Sequence, residues 1–348
     1  MRQKYSAGFF SSDTQNLNVD TQQIQLAYSN PLFDNIGILC IELELPAGHR
    51  ISNPCGSAVY IGEGFLITAA HCIQMTREVT TISLLDYPLL KPAGFTFKLI
   101  NQDGSIHSEF KISEEFVHPD YNKSSENDLA LLKLDTNIEH LTGFRVPEMY
   151  ENYFDNCIAV GFGMKGQRDG LFMSRDGLKR AITVPDIFAQ GDFYKNINGY
   201  KLNYSNDEFH LDTIEDDPLA VGVSLGMSGG ALINEKGRLL GITSHIYTPN
   251  AKLFGQCNPL LTEEFKQSEW LRKTFRTSSA IFSYISSLPV IGLNPVTGMG
   301  DAWVNINRNP CRYWLLETMR QHSSRETYMG VICQHEYGDR EERNFASI

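Results

Sequence analysis

Thr68-Ala69-Ala70-His71-Cys72 follows an apolar segment and places a histidine at the end of a predicted strand. Two later motifs accompany it: Asn127-Asp128-Leu129 precedes an apolar run, and Gly226-Met227-Ser228-Gly229-Gly230 precedes another. A serine hydroxyl is a weak nucleophile at neutral pH, so it needs a neutral imidazole to remove its proton and a carboxylate to orient that imidazole. Histidine, aspartate and serine, each beside strand-like sequence, therefore predict a catalytic triad.

From residue 36 onward, short apolar runs alternate with turn residues. β-branched and aromatic residues dominate these runs and helical periodicity is weak, which predicts an all-β barrel or sandwich. Two hairpins are predicted, because Gly62-Glu63-Gly64 separates two apolar runs and Asn234-Glu235-Lys236-Gly237 separates two more. The second hairpin comes soon after Ser228, where the nucleophile elbow of an α/β-hydrolase would need a helix.

Together the three motifs resemble those of the chymotrypsin-like (trypsin-fold) serine endopeptidases. Further segments resemble weaker family patterns in the same order: Val117–Tyr121 is similar to V-x-H-P-x-Y, and Cys157–Gly163 is similar to C-x-x-x-G-W-G. Leu178–Pro185 and Gly241–Ser244 resemble two later family strands. The resemblance covers roughly residues 35–290.

This resemblance implies two antiparallel six-stranded β-barrels with short helices and the active site between them. We expect a protease domain at residues 35–290, divided near 145–155. A polar extension at 1–34, mobile or loosely docked, precedes it. A C-terminal extension at 291–348 follows, and the helical spacing of TEEFKQSEWLRKTF and IFSYISSL predicts two helices near the end of the domain.

The family's functional roles carry over to matching positions. Ser228 would be the nucleophile, His71 the general base and then the general acid, and Asp128 the residue that orients His71. The backbone N–H groups of Gly226 and Ser228 would form the oxyanion hole, and Ser244 would donate a hydrogen bond beside Asp128. The resemblance implies a protein or peptide substrate and a reaction that needs no cofactor.

The residue before the nucleophile departs from the pattern of the animal digestive enzymes. In those enzymes an aspartate there pairs with a new N-terminus, usually Ile-Val-Gly-Gly, released by activation cleavage. This chain has Met227 instead, and no Ile-Val-Gly-Gly precedes it. We expect a divergent member without cleavage-triggered activation, whose oxyanion hole is held by other packing. Two alternatives stay open, a pseudoprotease that binds a protein partner through the same groove and a serine esterase.

The specificity pocket also differs from that of trypsin. Gly222 stands where trypsin-type enzymes carry the aspartate that binds Arg or Lys at P1, so a basic P1 preference is not expected. His245 stands where the family usually has a Trp, and Ile246 stands where the family has a Gly in the pocket wall. A β-branched wall favours small or medium aliphatic P1 residues, whereas a histidine there favours Glu or Gln.

Seven cysteines are present, which is sparse for a disulfide-rich secreted module. Cys55 and Cys72 match the family pair that closes the histidine loop, so they are candidates for a disulfide, with buried thiols as the alternative. Cys157 matches a family cysteine whose partner position is occupied by Asn234. At most one family disulfide therefore remains.

Net charge is −11, from 30 basic and 41 acidic residues, and no basic cluster is present, which argues against a nucleic-acid partner. No apolar run is long enough for a membrane span, and no paired His or Cys motif predicts a metal site. The start lacks the apolar stretch of a secretory signal peptide. We therefore expect a cytoplasmic protein or one exported by a signal-less route, as for effectors that some bacteria inject into host cells.

Overall fold

The computed structural model describes residues 14–44, 50–74, 76–77, 91–121, 127–144, 153–163, 165–166, 173–174, 176–190, 193–197, 200–205, 208–213, 223, 226–247 and 300–323. Strands dominate these residues, and most of them belong to two closed antiparallel barrels of six strands each. The predicted all-β class and two-barrel architecture are confirmed.

The first barrel contains β1 (Ile36–Glu44), β2 (Arg50–Gly62), β3 (Phe65–Thr68), β4 (Lys91–Ile100), β5 (Ile106–Val117) and β6 (Ala130–Leu134). They close in the order β1-β2-β3-β6-β5-β4. Every residue of β3 and nearly every residue of β1 is buried, because these strands are continuous apolar runs. The predicted hairpin between β2 and β3 is confirmed: Gly62, Glu63 and Gly64 all have positive φ, which suits a tight turn rich in glycine.

The second barrel contains β7 (Tyr153–Gly161), β10 (Arg180–Gln190), β11 (Phe193–Ile197), β14 (Ala231–Asn234), β15 (Leu239–Tyr247) and β16 (Gly300–Asn305). These strands close in the order β10-β11-β16-β15-β14-β7. Two small hairpins accompany it, β8 (Lys165–Gly166) with β9 (Met173–Ser174) and β12 (Tyr200–Ser205) with β13 (Glu208–Thr213). The predicted turn between β14 and β15 is confirmed.

The strand β16 lies beyond residue 290, the expected end of the protease domain. It pairs with both β11 and β15, so residues of the expected C-terminal extension close the barrel. The side chain of Trp303 is fully buried in this barrel, which explains why the strand belongs there. The predicted helices at 262–275 and 281–288 lie outside the described residues, as does most of the expected boundary at 145–155.

After β16, the helix α2 (Cys311–His322) packs against the first barrel. Leu315 and Met319 join the apolar core of that barrel. The Trp314 ring lies 4.9 Å from the ring of His118, measured between centroids. The chain thus leaves the second barrel and returns to brace the first. Within the described part of the chain, neither helix is both long and apolar enough to cross a bilayer.

The N-terminal segment differs from the loosely docked extension that we expected. Residues Thr14–Ser29 form the helix α1, and a short 3₁₀ helix at Pro31–Asn35 leads from it into β1. Asp20 of α1 forms an ion pair with Arg180 of β10 at 2.8 Å, and the Arg180 side chain is almost fully buried. A buried guanidinium needs anionic partners, so this pair holds α1 on the second barrel.

Candidate active site

His71 and Asp128 meet because they flank two paired strands. His71 lies in a short helical segment after β3, Asp128 lies just before β6, and Thr68 of β3 pairs with Ala130 of β6. His71 Nδ1 lies 2.7 Å from Asp128 Oδ2, and the backbone N–H of His71 donates to Asp128 Oδ1 at 2.9 Å. Both carboxylate oxygens thus hold the same residue, which fixes the position and the tautomer of the imidazole.

Ser244 adds a contact from the second barrel. Its Oγ donates a hydrogen bond to Asp128 Oδ2 at 2.6 Å, as the resemblance implied. The register of β15 against β16 shifts between Thr243 and His245, so Ser244 lies at an irregularity of the strand. Such irregularities redirect side chains.

The electrostatics of the pair favour an ionised carboxylate beside a basic imidazole. Burial opposes ionisation of Asp128, but the hydrogen bonds and charge of His71 and the hydroxyl of Ser244 outweigh it and lower the pKa of Asp128. Burial likewise opposes protonation of His71, but the Cys72 sulfur and the Asp128 carboxylate raise the pKa of His71 well above its ordinary value. The imidazole is therefore a stronger base than a solvated histidine.

Ser228 lies in a tight turn that precedes β14. The turn needs glycine, because Gly226 has φ +92° and Gly229 has φ +81°. Gly230 N–H donates to Met227 O at 2.7 Å and closes the turn, while Gly229 N–H donates to Thr243 O of β15. Ser228 itself stays partly exposed.

Ser57 of β2 joins this turn to the first barrel. Its backbone N–H donates to Ser228 O at 2.7 Å, and its Oγ donates to Gly226 O at 3.3 Å. Sequence reasoning missed Ser57. The available signal was a polar residue within the apolar run GSAVYI, but the sequence did not show that this residue is buried and faces the second barrel.

The structure brings the chain segments that carry His71 and Ser228 together, but among the described residues it does not join these two side chains by a hydrogen bond. A Cβ on Gly56 would lie 2.6 Å from Cys72 Sγ and 2.9 Å from Ser228 O, so the two segments pack against the same glycine. His71 Nε2 lies 3.8 Å from Cys72 Sγ. Among the described residues, no hydrogen bond connects Nε2 to Ser228 Oγ. Catalytic hydrogen bonds are often long before substrate binds.

The candidate disulfide between Cys55 and Cys72 is not formed in the structure; both residues are thiols. Cys55 Sγ donates to the carbonyl of Leu39 at 3.3 Å, across the β1–β2 pair. Cys72 Sγ packs against Gly56 and His71 instead. The two sulfurs are therefore directed to different neighbours: the Cys72 thiol is buried, whereas the Cys55 thiol is partly exposed.

Met227 supports the candidate oxyanion turn through apolar packing. Its side chain is fully buried in the core of the second barrel, where it belongs to a cluster with Cys157, Val184 and Trp303. Across the described part of the chain, no backbone acceptor is assigned to the N–H groups of Gly226 and Ser228.

The predicted pocket residues are only partly described. Gly222 lies outside the described residues. His245 and Ile246 belong to the backbone of β15, opposite Ala302 and Asp301 of β16, but their side chains are not described. The P1 preference therefore stays a prediction. In the described ranges, no group of three or more His, Cys, Asp or Glu side chains is arranged to bind a metal ion.

A family model described as Trypsin matches residues 45–259. This span is more than half of the 348-residue chain and contains His71, Asp128 and Ser228.

Individual proteins are similar over different lengths. Granzyme M of Rattus norvegicus is 26% identical over 228 residues, which cover 64% of this chain and 80% of the relative. Ovochymase of Halocynthia roretzi is 29% identical over 122 residues, or 32% of this chain and 7% of that protein. Among solved structures, neuropsin, described as a serine protease expressed in the limbic system of mouse brain, matches 83% of this chain and 96% of its own at 16% identity, with a TM-score of 0.43.

Proposed function

This chain belongs to the trypsin family, and we therefore propose that it is a serine endopeptidase that cleaves proteins through His71, Asp128 and Ser228. The supporting observation is the pair of hydrogen bonds from one residue, His71, to both carboxylate oxygens of the buried Asp128. A carboxylate held in this way keeps the proton on Nδ1 and leaves Nε2 as the basic atom.

In the proposed reaction, Ser228 Oγ attacks the carbonyl carbon of the scissile peptide bond while His71 Nε2 takes its proton. The carbonyl oxygen becomes an oxyanion that accepts hydrogen bonds from the N–H groups of Gly226 and Ser228. The imidazolium then protonates the leaving amine, the C–N bond breaks and an acyl-enzyme remains. Water attacks the ester with His71 again as base, which releases the acid product and restores Ser228.

The proposed reaction requires His71 Nε2 to exchange one neighbour for another. Its contact with Cys72 Sγ must give way to a hydrogen bond with Ser228 Oγ before the proton can move. Asp128 need not change position, because its bonds use only Nδ1 and the backbone of His71.

We further propose that P1 specificity is not trypsin-like. Gly222 carries no charge to bind Arg or Lys. The sequence offers two readings of the neighbouring wall. Ile246 favours small or medium aliphatic P1 residues, and His245 favours Glu or Gln. A peptide library profiled at P1 separates these readings, and a profile led by Arg or Lys would refute the assignment of Gly222.

The first test is labelling of the purified chain with a fluorophosphonate, with the adduct mapped by mass spectrometry. An adduct on Ser228 that is lost in His71→Ala is expected. Ser228→Ala should abolish both labelling and proteolysis, while its melting temperature stays near that of the unmodified chain. Ser113→Ala, which removes an exposed hydroxyl in β5, is the matched control and should label normally.

A second function competes because Ser228 Oγ is not hydrogen-bonded to His71 among the described residues. A pseudoprotease that binds a partner through the groove would fold, yet give no adduct and no turnover. A serine esterase would give an adduct and hydrolyse small activated esters, but would leave denatured protein substrates intact. Labelling combined with casein and ester assays therefore separates all three functions.

A further inference from the structure

Ser57 is tied to the candidate oxyanion turn by both its backbone and its side chain. Its N–H donates to Ser228 O at 2.7 Å, and its Oγ donates to Gly226 O at 3.3 Å. The same Oγ accepts the backbone N–H of Phe162 at 3.0 Å. Thr68 Oγ1 donates to Ser57 O at 2.7 Å and fixes the residue within the first barrel. Ser57 is fully buried.

These bonds flank the peptide unit that carries the Ser228 N–H, one of the two candidate oxyanion donors. A peptide unit is planar and trans, so a fixed carbonyl also fixes the direction of the N–H in the same unit. The Met227 carbonyl is held by Gly230 N–H, which sets the direction of the Ser228 N–H. Ser57 Oγ holds the preceding carbonyl, that of Gly226, and Ser57 N–H holds the following one.

The turn needs such restraint because Gly226 is conformationally permissive. Its φ of +92° is favourable for glycine, but glycine can also adopt other conformations at little cost. The ion pair that orders this turn in the animal digestive enzymes has no counterpart here, since Met227 replaces the aspartate. Met227 packing anchors the middle of the turn in the core, but apolar packing alone does not orient a peptide group.

We propose that Ser57 is a positioning residue that orients the oxyanion hole, substituting for the activation ion pair through neutral hydrogen bonds from the first barrel. The inference rests on the proposed protease function. It assigns to β2 a role in transition-state stabilisation, because the oxyanion donors would be held from a strand that contributes none of the triad.

The serine hydroxyl suits this role because it acts as donor and acceptor at once. It accepts a hydrogen bond from the Phe162 N–H and donates one to the Gly226 carbonyl. Alanine would leave both partners unsatisfied in a buried site. The space around the hydroxyl is also restricted, since a Cβ on Gly161 would lie 3.1 Å from Ser57 Oγ.

The test compares Ser57→Ala with Thr96→Val. The control removes a buried hydroxyl of the same barrel, which donates to Glu42 Oε1 at 2.7 Å and does not contact the turn. Removing one oxyanion donor outright lowers kcat about 10²–10³-fold, so a donor that is only misaligned should lower it by about 10–100-fold. We expect this loss for Ser57→Ala, with KM changed by less than twofold. The fluorophosphonate labelling rate should fall in parallel. Thr96→Val should lose stability but keep kcat.

If Ser57 had only a structural role, Ser57→Ala would lower the melting temperature but would not lower kcat while leaving KM nearly unchanged. If kcat for Ser57→Ala stays within twofold of that for Thr96→Val, the inference is overturned while the proposed function stands. A wild-type chain that gives no Ser228 adduct overturns the proposed function and the inference with it. If the alanine variant does not fold, Ser57→Cys, whose thiol is somewhat larger than the hydroxyl and a much weaker donor, must show the same loss of kcat.

Discussion

Ser244 Oγ donates a hydrogen bond to Asp128 Oδ2 at 2.6 Å, although the two residues are 116 positions apart and belong to different barrels. Asp128 lies just before β6 of the first barrel, and Ser244 lies in β15 of the second barrel. Both side chains are buried. The carboxylate that orients His71 is therefore held from both halves of the molecule at once.

Ser244→Ala is expected to weaken both catalysis and stability. A hydrogen bond to a charged group contributes about 1.5–3 kcal/mol, and its loss should raise the pKa of Asp128, which Ser244 helps to lower. We expect a reduced kcat and a lower urea midpoint. Thr318→Ala, which removes a buried hydroxyl of α2 bonded to Trp314 O, is the control and should keep the kcat of the unmodified chain.

Cys72→Ala should move the pH profile of the reaction. His71 must be neutral to accept a proton, so kcat/KM rises as pH rises through the pKa of His71. Because Cys72 and Asp128 raise that pKa, the acid limb should lie above the usual histidine value of about 6.5. Removing Cys72 should shift the limb to lower pH.

The matched control is Cys40→Ala. Burial raises the pKa of the Cys40 thiol to about 11, and this thiol lies in β1 rather than beside His71. Its removal should leave the acid limb of kcat/KM in place. An acid limb that is the same in Cys72→Ala as in the unmodified chain would show that Cys72 does not influence the base.

Gly229→Ala should be among the most destabilising substitutions in the chain. A Cβ there would lie 2.0 Å from Ser57 O and 2.2 Å from Thr68 Oγ1, and the φ of +81° is unfavourable for alanine. We expect a loss of more than about 4 kcal/mol in urea denaturation. Gly177→Ala has a similar φ of +75° with no atom within 4 Å, so it should lose only about 1–2 kcal/mol. Equal losses would refute the steric argument.

Activity should not require cleavage near residue 35. Met227 is a buried apolar side chain and cannot pair with a new N-terminal ammonium. The intact chain, verified by mass spectrometry, should therefore label with fluorophosphonate at the same rate before and after limited trypsin treatment. A chain that labels only after such a nick would contradict this expectation.

The catalytic motifs and much of the fold were predictable because they depend on local sequence. The hairpins at Gly62–Gly64 and Asn234–Gly237 carry their own turn residues. The alignment that placed Asn234 at the partner position of Cys157 agrees with the register, in which these two residues are opposite each other on β14 and β7.

Other features depend on contacts between distant segments, which a single sequence does not display. β16 lies beyond the segment that resembles the family, and its partner β15 ends at Tyr247, far earlier in the chain. The helix α1 has no acidic residue in its first turn, and its ion pair with Arg180 is non-local. Ser57 shows its importance only when β2 is placed against the second barrel.

The late position of β16 also has a consequence for synthesis on the ribosome. A nascent chain emerges from its N-terminus, so β11 and β15 leave the exit tunnel well before Gly300–Asn305, the strand that pairs with both of them. Until then two strand edges lack their partner, and unpaired edges promote association between chains. The second barrel is thus closed only late in translation.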